Sequence, residues 1–129
     1  MPITVEWDNP QKTIIRQTHL GTWTWEEYYA AADQTLVMLN SVDYQIHLMI
    51  DMQQSSMLPS GALSHAAIAE RDHRNNGKVF LVGANRLVQS LYKVALVIRP
   101  RAAERLVLVN TVEEVYAELN LPFDSSRQS

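Results

Sequence analysis

Three short apolar runs constrain the fold more than any other feature: IHLMID at 46–51, KVFLVG at 78–83 and RLVLVN at 105–110. Each places apolar side chains at alternating and at intervening positions, as a strand does when both faces of its sheet are covered. Segments with helical spacing separate and follow them. That strand-then-helix rhythm calls for a largely parallel section of sheet with right-handed crossovers.

The chain ahead of these runs reads differently. Ile3, Val5 and Trp7 alternate with Thr4 and Glu6, the period of a half-buried strand. Asp8, Asn9 and Pro10 form a turn signal, and Thr13 to Leu20 supplies a second strand that Gly21 ends. So short a connection favours an antiparallel hairpin. In TWTWEEYYAAADQTLVMLN, Thr24 and Glu27 form a capping box, and Trp25, Tyr28, Tyr29, Ala32, Leu36 and Leu39 share a helix face.

Ser41 to Tyr44 then connects to a strand at Gln45–Asp51. A helix follows from about Gly61, with Leu63, Ala66 and Ala67 on its face, and dissolves in RDHRNNG with Gly77 as terminator. Asn85 caps another helix, which carries Leu87, Val88, Leu91, Tyr92, Val94, Ala95 and Ile98 and ends before Pro100. Thr111 with Glu114 makes a second capping box before a short helix bearing Val112, Val115, Tyr116 and Leu119. The expectation is a single α/β domain over 1–121 with a tail at 122–129. It has a mixed, mostly parallel sheet of about five strands and about four helices, in the order β-β-α-β-α-β-α-β-α.

Composition narrows the function classes. At 129 residues, 47% hydrophobic and 19% charged, the chain suits one folded domain. Its 11 Lys and Arg are scattered and the net charge is -3, which argues against nucleic-acid binding. With no cysteine there is no disulfide, thiolate metal site or Cys nucleophile, and a reducing compartment fits. MPITVEWD lacks the features of a signal peptide, and no apolar run approaches the roughly 20 residues of a membrane span. A cytoplasmic protein with no membrane span is expected.

With its opening hairpin, IHLMID, a serine loop, a helix, KVFLVGA, a helix and RLVLVNTVEEVYAEL, the chain resembles the STAS domain family, the anti-sigma factor antagonist fold. The resemblance covers roughly residues 3 to 120, and it rests on the order of weak motifs. It implies a small α/β domain that works by binding a partner protein, sometimes regulated by phosphorylation or nucleotide. In that family an Asp-Ser-Ser-Gly-Leu segment opens the helix after the third strand, and its second serine is the usual phosphorylation site. Set against that segment, Pro59 stands at the aspartate, Ser60 at the first serine, Gly61 at the phosphorylated serine, Ala62 at the glycine and Leu63 at the leucine. The resemblance therefore diverges at the phosphoacceptor, and it implies a binder without the usual serine switch.

The candidate contact loop runs from Asp51 to Leu63 and includes Ser55, Ser56, Ser60 and Gly61. Ser60 reads first as a helix N-cap; free N–H groups and hydroxyls there also suit an anion or a partner's carboxylate. Asp51 reads as a strand-end carboxylate accepting loop hydrogen bonds, at the end of a strand where open α/β sheets place ligands. No second carboxylate stands at a spacing for acid/base work, so no enzyme activity and no cofactor is expected. His65 and His73 lack the i, i+4 spacing of a metal pair. A Ser60–His65–Asp51 triad would need those groups to converge, and no nucleophile elbow supports it.

Trp23, Trp25, Leu91 and Tyr92 are candidates for a pocket or interface. The wide apolar face of the Leu87–Ile98 helix is either buried or forms a homodimer contact. The leading expectation is a non-enzymatic protein-binding domain with an unknown protein partner. The alternative is a small-molecule or lipid-like ligand domain, with Trp23, Trp25 and the Met52–Leu58 loop lining an apolar pocket.

Overall fold

A computed structural model of the chain describes residues 2–55, 75–83 and 106–123, together with the helical residues Gln89, Lys93 and Val97. Five strands form one sheet: β1 (Ile3–Trp7), β2 (Ile14–Gly21), β3 (Ile46–Ser55), β4 (Asn76–Val82) and β5 (Leu106–Val109). They lie side by side in chain order. β1 and β2 pair antiparallel; β2, β3, β4 and β5 pair in parallel. The mixed, mostly parallel sheet read from the apolar runs is the sheet observed.

Asn9 builds the hairpin turn. Its buried side-chain oxygen accepts the N–H groups of Thr13 at 3.0 Å and Ile14 at 3.2 Å. Its amide donates to Thr13 Oγ1 at 2.7 Å. This is the local turn chemistry that makes Asn a turn residue.

Helix α1 (Trp25–Asn40) starts with the capping box of Thr24 and Glu27, both halves of which are formed. It covers one face of the sheet, where Trp23, Ala31 and Leu39 meet Ile3, Ile15, Ile46 and Met52. The buried stripe is Ala31, Thr35 and Leu39, while Ala32 and Leu36 are half-buried. The face is thus turned slightly from the sequence expectation. Gln17 of β2 is buried beneath α1, and its amide donates to Thr35 Oγ1 at 2.9 Å, so a polar residue occupies the centre of the stripe. Asn75 closes the other end of α1, donating from Nδ2 to the carbonyls of Leu39 and Val42, both at 2.9 Å.

Helix α2 (Val112–Glu118) covers the opposite face. Val112, Val115 and Tyr116 pack there with Ile14, Met49, Phe80 and Val82. Fully burying a side chain such as Phe80 stabilises by about 1.5–3 kcal/mol. Thr111 Oγ1 accepts the N–H of Glu114 at 3.3 Å, but the Glu114 carboxylate accepts from Asn110 N–H. The expected second capping box is therefore a one-sided cap, with the carboxylate bonded one residue further upstream.

Two strand boundaries differ from expectation. β3 continues through Asp51 to Ser55, because Gln54 and Ser55 pair with Leu20 and Gly21 of β2. Gly77 is no helix terminator; it lies inside β4, where a Cβ would stand 2.5 Å from His47 Nδ1. The helices expected after Gly61 and after Asn85 lie outside the described residues, apart from Gln89, Lys93 and Val97. Those three, spaced four apart, form an exposed helical stripe.

Candidate functional site

The region where β3 leaves the sheet is built around Asp51. Thr18 pairs with Asp51 but Leu20 pairs with Gln54, so β3 carries one extra residue and bulges there. The Asp51 carboxylate holds the bulge: Oδ1 accepts the backbone N–H of Gln53 at 3.0 Å and its side-chain amide at 3.1 Å. Gly83, at φ +68°, faces the bulge, and a Cβ on it would stand 3.2 Å from Gln53 Cα and 2.5 Å from Gln53 Cγ.

On its other oxygen Asp51 accepts from Arg16 Nη2 at 2.6 Å. Arg16 Nη1 reaches Asp8 Oδ1 at 3.3 Å, and the Tyr116 hydroxyl donates to Asp8 Oδ2. A continuous chain of contacts thus runs from α2 through Asp8, Arg16 and Asp51 to the bulge. Burial works to lower the Arg16 pKa, but the hydrogen bonds and charges of Asp51 and Asp8 outweigh it and leave the pKa raised. Asp51 is 1% exposed and acts as a structural carboxylate. Its expected position at a strand end is corrected: it lies inside β3, on the α2 face.

The α1 face of the same strand end is aromatic. Trp23 donates from Nε1 to Ser55 Oγ at 3.0 Å, which fixes Ser55 as a half-buried strand residue instead of a loop residue. Trp23 meets Trp25 edge-on at 5.1 Å between ring centroids and stacks with Tyr28 at 6.0 Å. Burial raises the Tyr28 pKa. Trp23 is only 3% exposed, so it belongs to the core and does not flank an open groove.

His19 sits inside this cluster, edge-on to Trp23 at 4.7 Å. Burial lowers its pKa to about 4 despite the opposing charge of Asp51, so the ring is neutral. Among the described residues neither ring nitrogen has a hydrogen-bond partner, and neither does Gln17 Oε1 on the same face of β2. Sequence reasoning passed over Arg16 and Gln17. The available signal was a run of four polar side chains, Arg16 to His19, in a strand whose neighbours Ile14 and Ile15 are fully buried.

Of the candidates from sequence, the structure brings Asp51, Ser55, Trp23 and Trp25 to one end of β2 and β3, on opposite faces of the sheet. Ser56, Ser60, Gly61, His65, Leu91 and Tyr92 lie outside the described residues. Among the described residues no group of His, Asp and Glu is placed to hold a metal ion, and no helix is long and apolar enough to cross a membrane. The sequence matches no protein-family model and no curated protein.

Proposed function

We propose that this chain is a non-enzymatic protein-interaction domain similar to the anti-sigma factor antagonists, lacking their serine phospho-switch. Its contact surface is the segment from Asp51 to Leu63 with the adjoining helix, of which Asp51 to Ser55 lie among the described residues. The observation that supports this reading most is the position of that segment. It begins in the C-terminal end of β3, the central strand of the sheet, and open α/β sheets present their binding surfaces at the carboxyl ends of their strands. The hairpin, the capped α1, the parallel strands and a final Thr-capped helix agree with the order on which the resemblance rests.

The chemistry of the strand end favours binding over catalysis. Asp51 is bonded to Arg16 and to the bulge, which suits a scaffold more than a general base. The Ser55 hydroxyl accepts from Trp23, and Gly61 brings no hydroxyl to the family's phosphoacceptor position. The reading is therefore of a constitutive binder, and the absence of cysteine suits a reducing, cytoplasmic setting.

Affinity capture from cell extract with and without ATP, followed by mass spectrometry, tests this. The expected result is one partner recovered equally under both conditions, with no phosphate on Ser55, Ser56 or Ser60. Phosphate on any of them with release of the partner would contradict the constitutive reading. Association of two copies through the helix expected at 87–98 is a separate element of the proposal, resting on the apolar residues Leu87, Leu91 and Tyr92 in the sequence. A monomer by light scattering at high concentration would remove it.

A further inference from the structure

The packing of α1 on β2 leaves three buried polar atoms without a partner among the described residues: Gln17 Oε1, His19 Nδ1 and His19 Nε2. Gln17 is 4% exposed and His19 1%, so bulk water does not satisfy them. Gln17 and His19 are two apart on β2 and point to the same face. Folded proteins tolerate few such atoms, and a buried water or another bound polar molecule is one way in which they are satisfied.

Their chemistry defines the guest. A neutral imidazole has one N–H donor and one bare acceptor nitrogen, on different edges of the ring. No single atom can serve both. Gln17 Oε1 accepts only; the amide nitrogen of Gln17 is already bonded to Thr35. The guest must therefore donate to Oε1, donate to the bare ring nitrogen and accept from the ring N–H. A carboxylate or phosphate dianion has no donor to give, and an ammonium has no acceptor. Hydroxyl groups do both. The surroundings agree, since Trp23 and Tyr28 stand 4.7 Å and 6.2 Å from the His19 ring and Ile3 lies opposite it on β1. Such walls accept C–H faces and disfavour charge.

We propose that β2 and α1 enclose a binding site for uncharged hydroxyl groups, with His19 and Gln17 as its hydrogen-bonding residues and Trp23 and Tyr28 as its walls. At least two hydroxyls are required, one on each edge of the imidazole. A pair of buried waters and a small polyol share this chemistry. The site is independent of the protein-docking reading, because it lies beneath α1 and uses none of the residues from Asp51 to Leu63.

Long-range proton–nitrogen NMR of the intact chain labelled at histidine tests it, with glycerol as the polyol probe. The site predicts one neutral His19 tautomer at pH 7, with the bare nitrogen shifted as a hydrogen-bond acceptor and a slowly exchanging ring N–H. Cross-relaxation from that N–H to water alone assigns the hydroxyls to buried waters. Saturable shifts of the His19 and Trp23 signals on adding glycerol, with cross-relaxation to its protons, assign them to a polyol. Ring nitrogens at unbonded positions, with cross-relaxation to neither, would overturn the proposal.

Discussion

Arg16 on β2 and Asp51 on β3 form an ion pair of 2.6 Å beneath the α2 face, and the same carboxylate caps the bulge of β3 through Gln53 N–H. One residue therefore fixes both the charge balance of the sheet and the exit of the chain from its central strand. The Asp51 side chain is 2% exposed and that of Arg16 17%, so removing one partner strands a largely desolvated charge.

Asp51→Ala is expected to destabilise the domain by about 3 kcal/mol, from the lost pair and the uncapped bulge together. Asp51→Asn keeps an acceptor for Gln53 and costs less. Urea unfolding of the two variants measures the difference. Equal loss in both would show that the bulge bond contributes nothing.

His19 makes stability depend on acid. The unfolded chain binds its proton near the ordinary value of 6.5, whereas the fold holds the pKa at about 4. The unfolded state thus takes up the proton first. Stability from this residue is complete above pH 6.5 and falls as pH drops toward 4, by about 3 kcal/mol. His47, lowered by burial and by Lys78, adds a loss of the same sign. His19→Phe keeps the ring and should flatten most of the decline; unfolding midpoints between pH 7 and 4 read it directly.

Asn75→Ala removes the side chain that satisfies two carbonyls at the end of α1. A loss of about 2 kcal/mol is expected, since buried acceptors are left without donors. Hydrogen exchange should speed up first in the last turn of α1. Protection unchanged there would mean that water replaces the amide.

Gly83→Ala meets two obstacles, a φ of +68° and the close approach of Gln53. The left-handed backbone alone costs a non-glycine residue about 1 kcal/mol or more, and the steric contact adds to it. Thermal unfolding should show a clear fall in the melting temperature.

Much of the fold was legible because burial writes itself into the sequence. The runs around Met49, Phe80 and Leu108 have no polar side to show, so they announced parallel strands covered on both faces. Thr24 and Glu27 marked the start of α1 through a bond made within four residues. What was not legible depends on partners distant in the chain. The extension of β3 to Ser55 needs β2 beside it, and the role of Asp51 needs Arg16, which stands 35 residues earlier. The polar atoms of Gln17 and His19 gain their meaning only when α1 closes over them.

The central claim is that a partner protein docks where the chain leaves β3. Photocrosslinking in cell extract tests it most directly, with a photoreactive residue placed at exposed Gln54 and, as a control, at exposed Asp43 at the opposite end of the sheet. The account predicts a single protein adduct from position 54 and none from position 43. Adducts from position 43 alone, or from neither position, would contradict it.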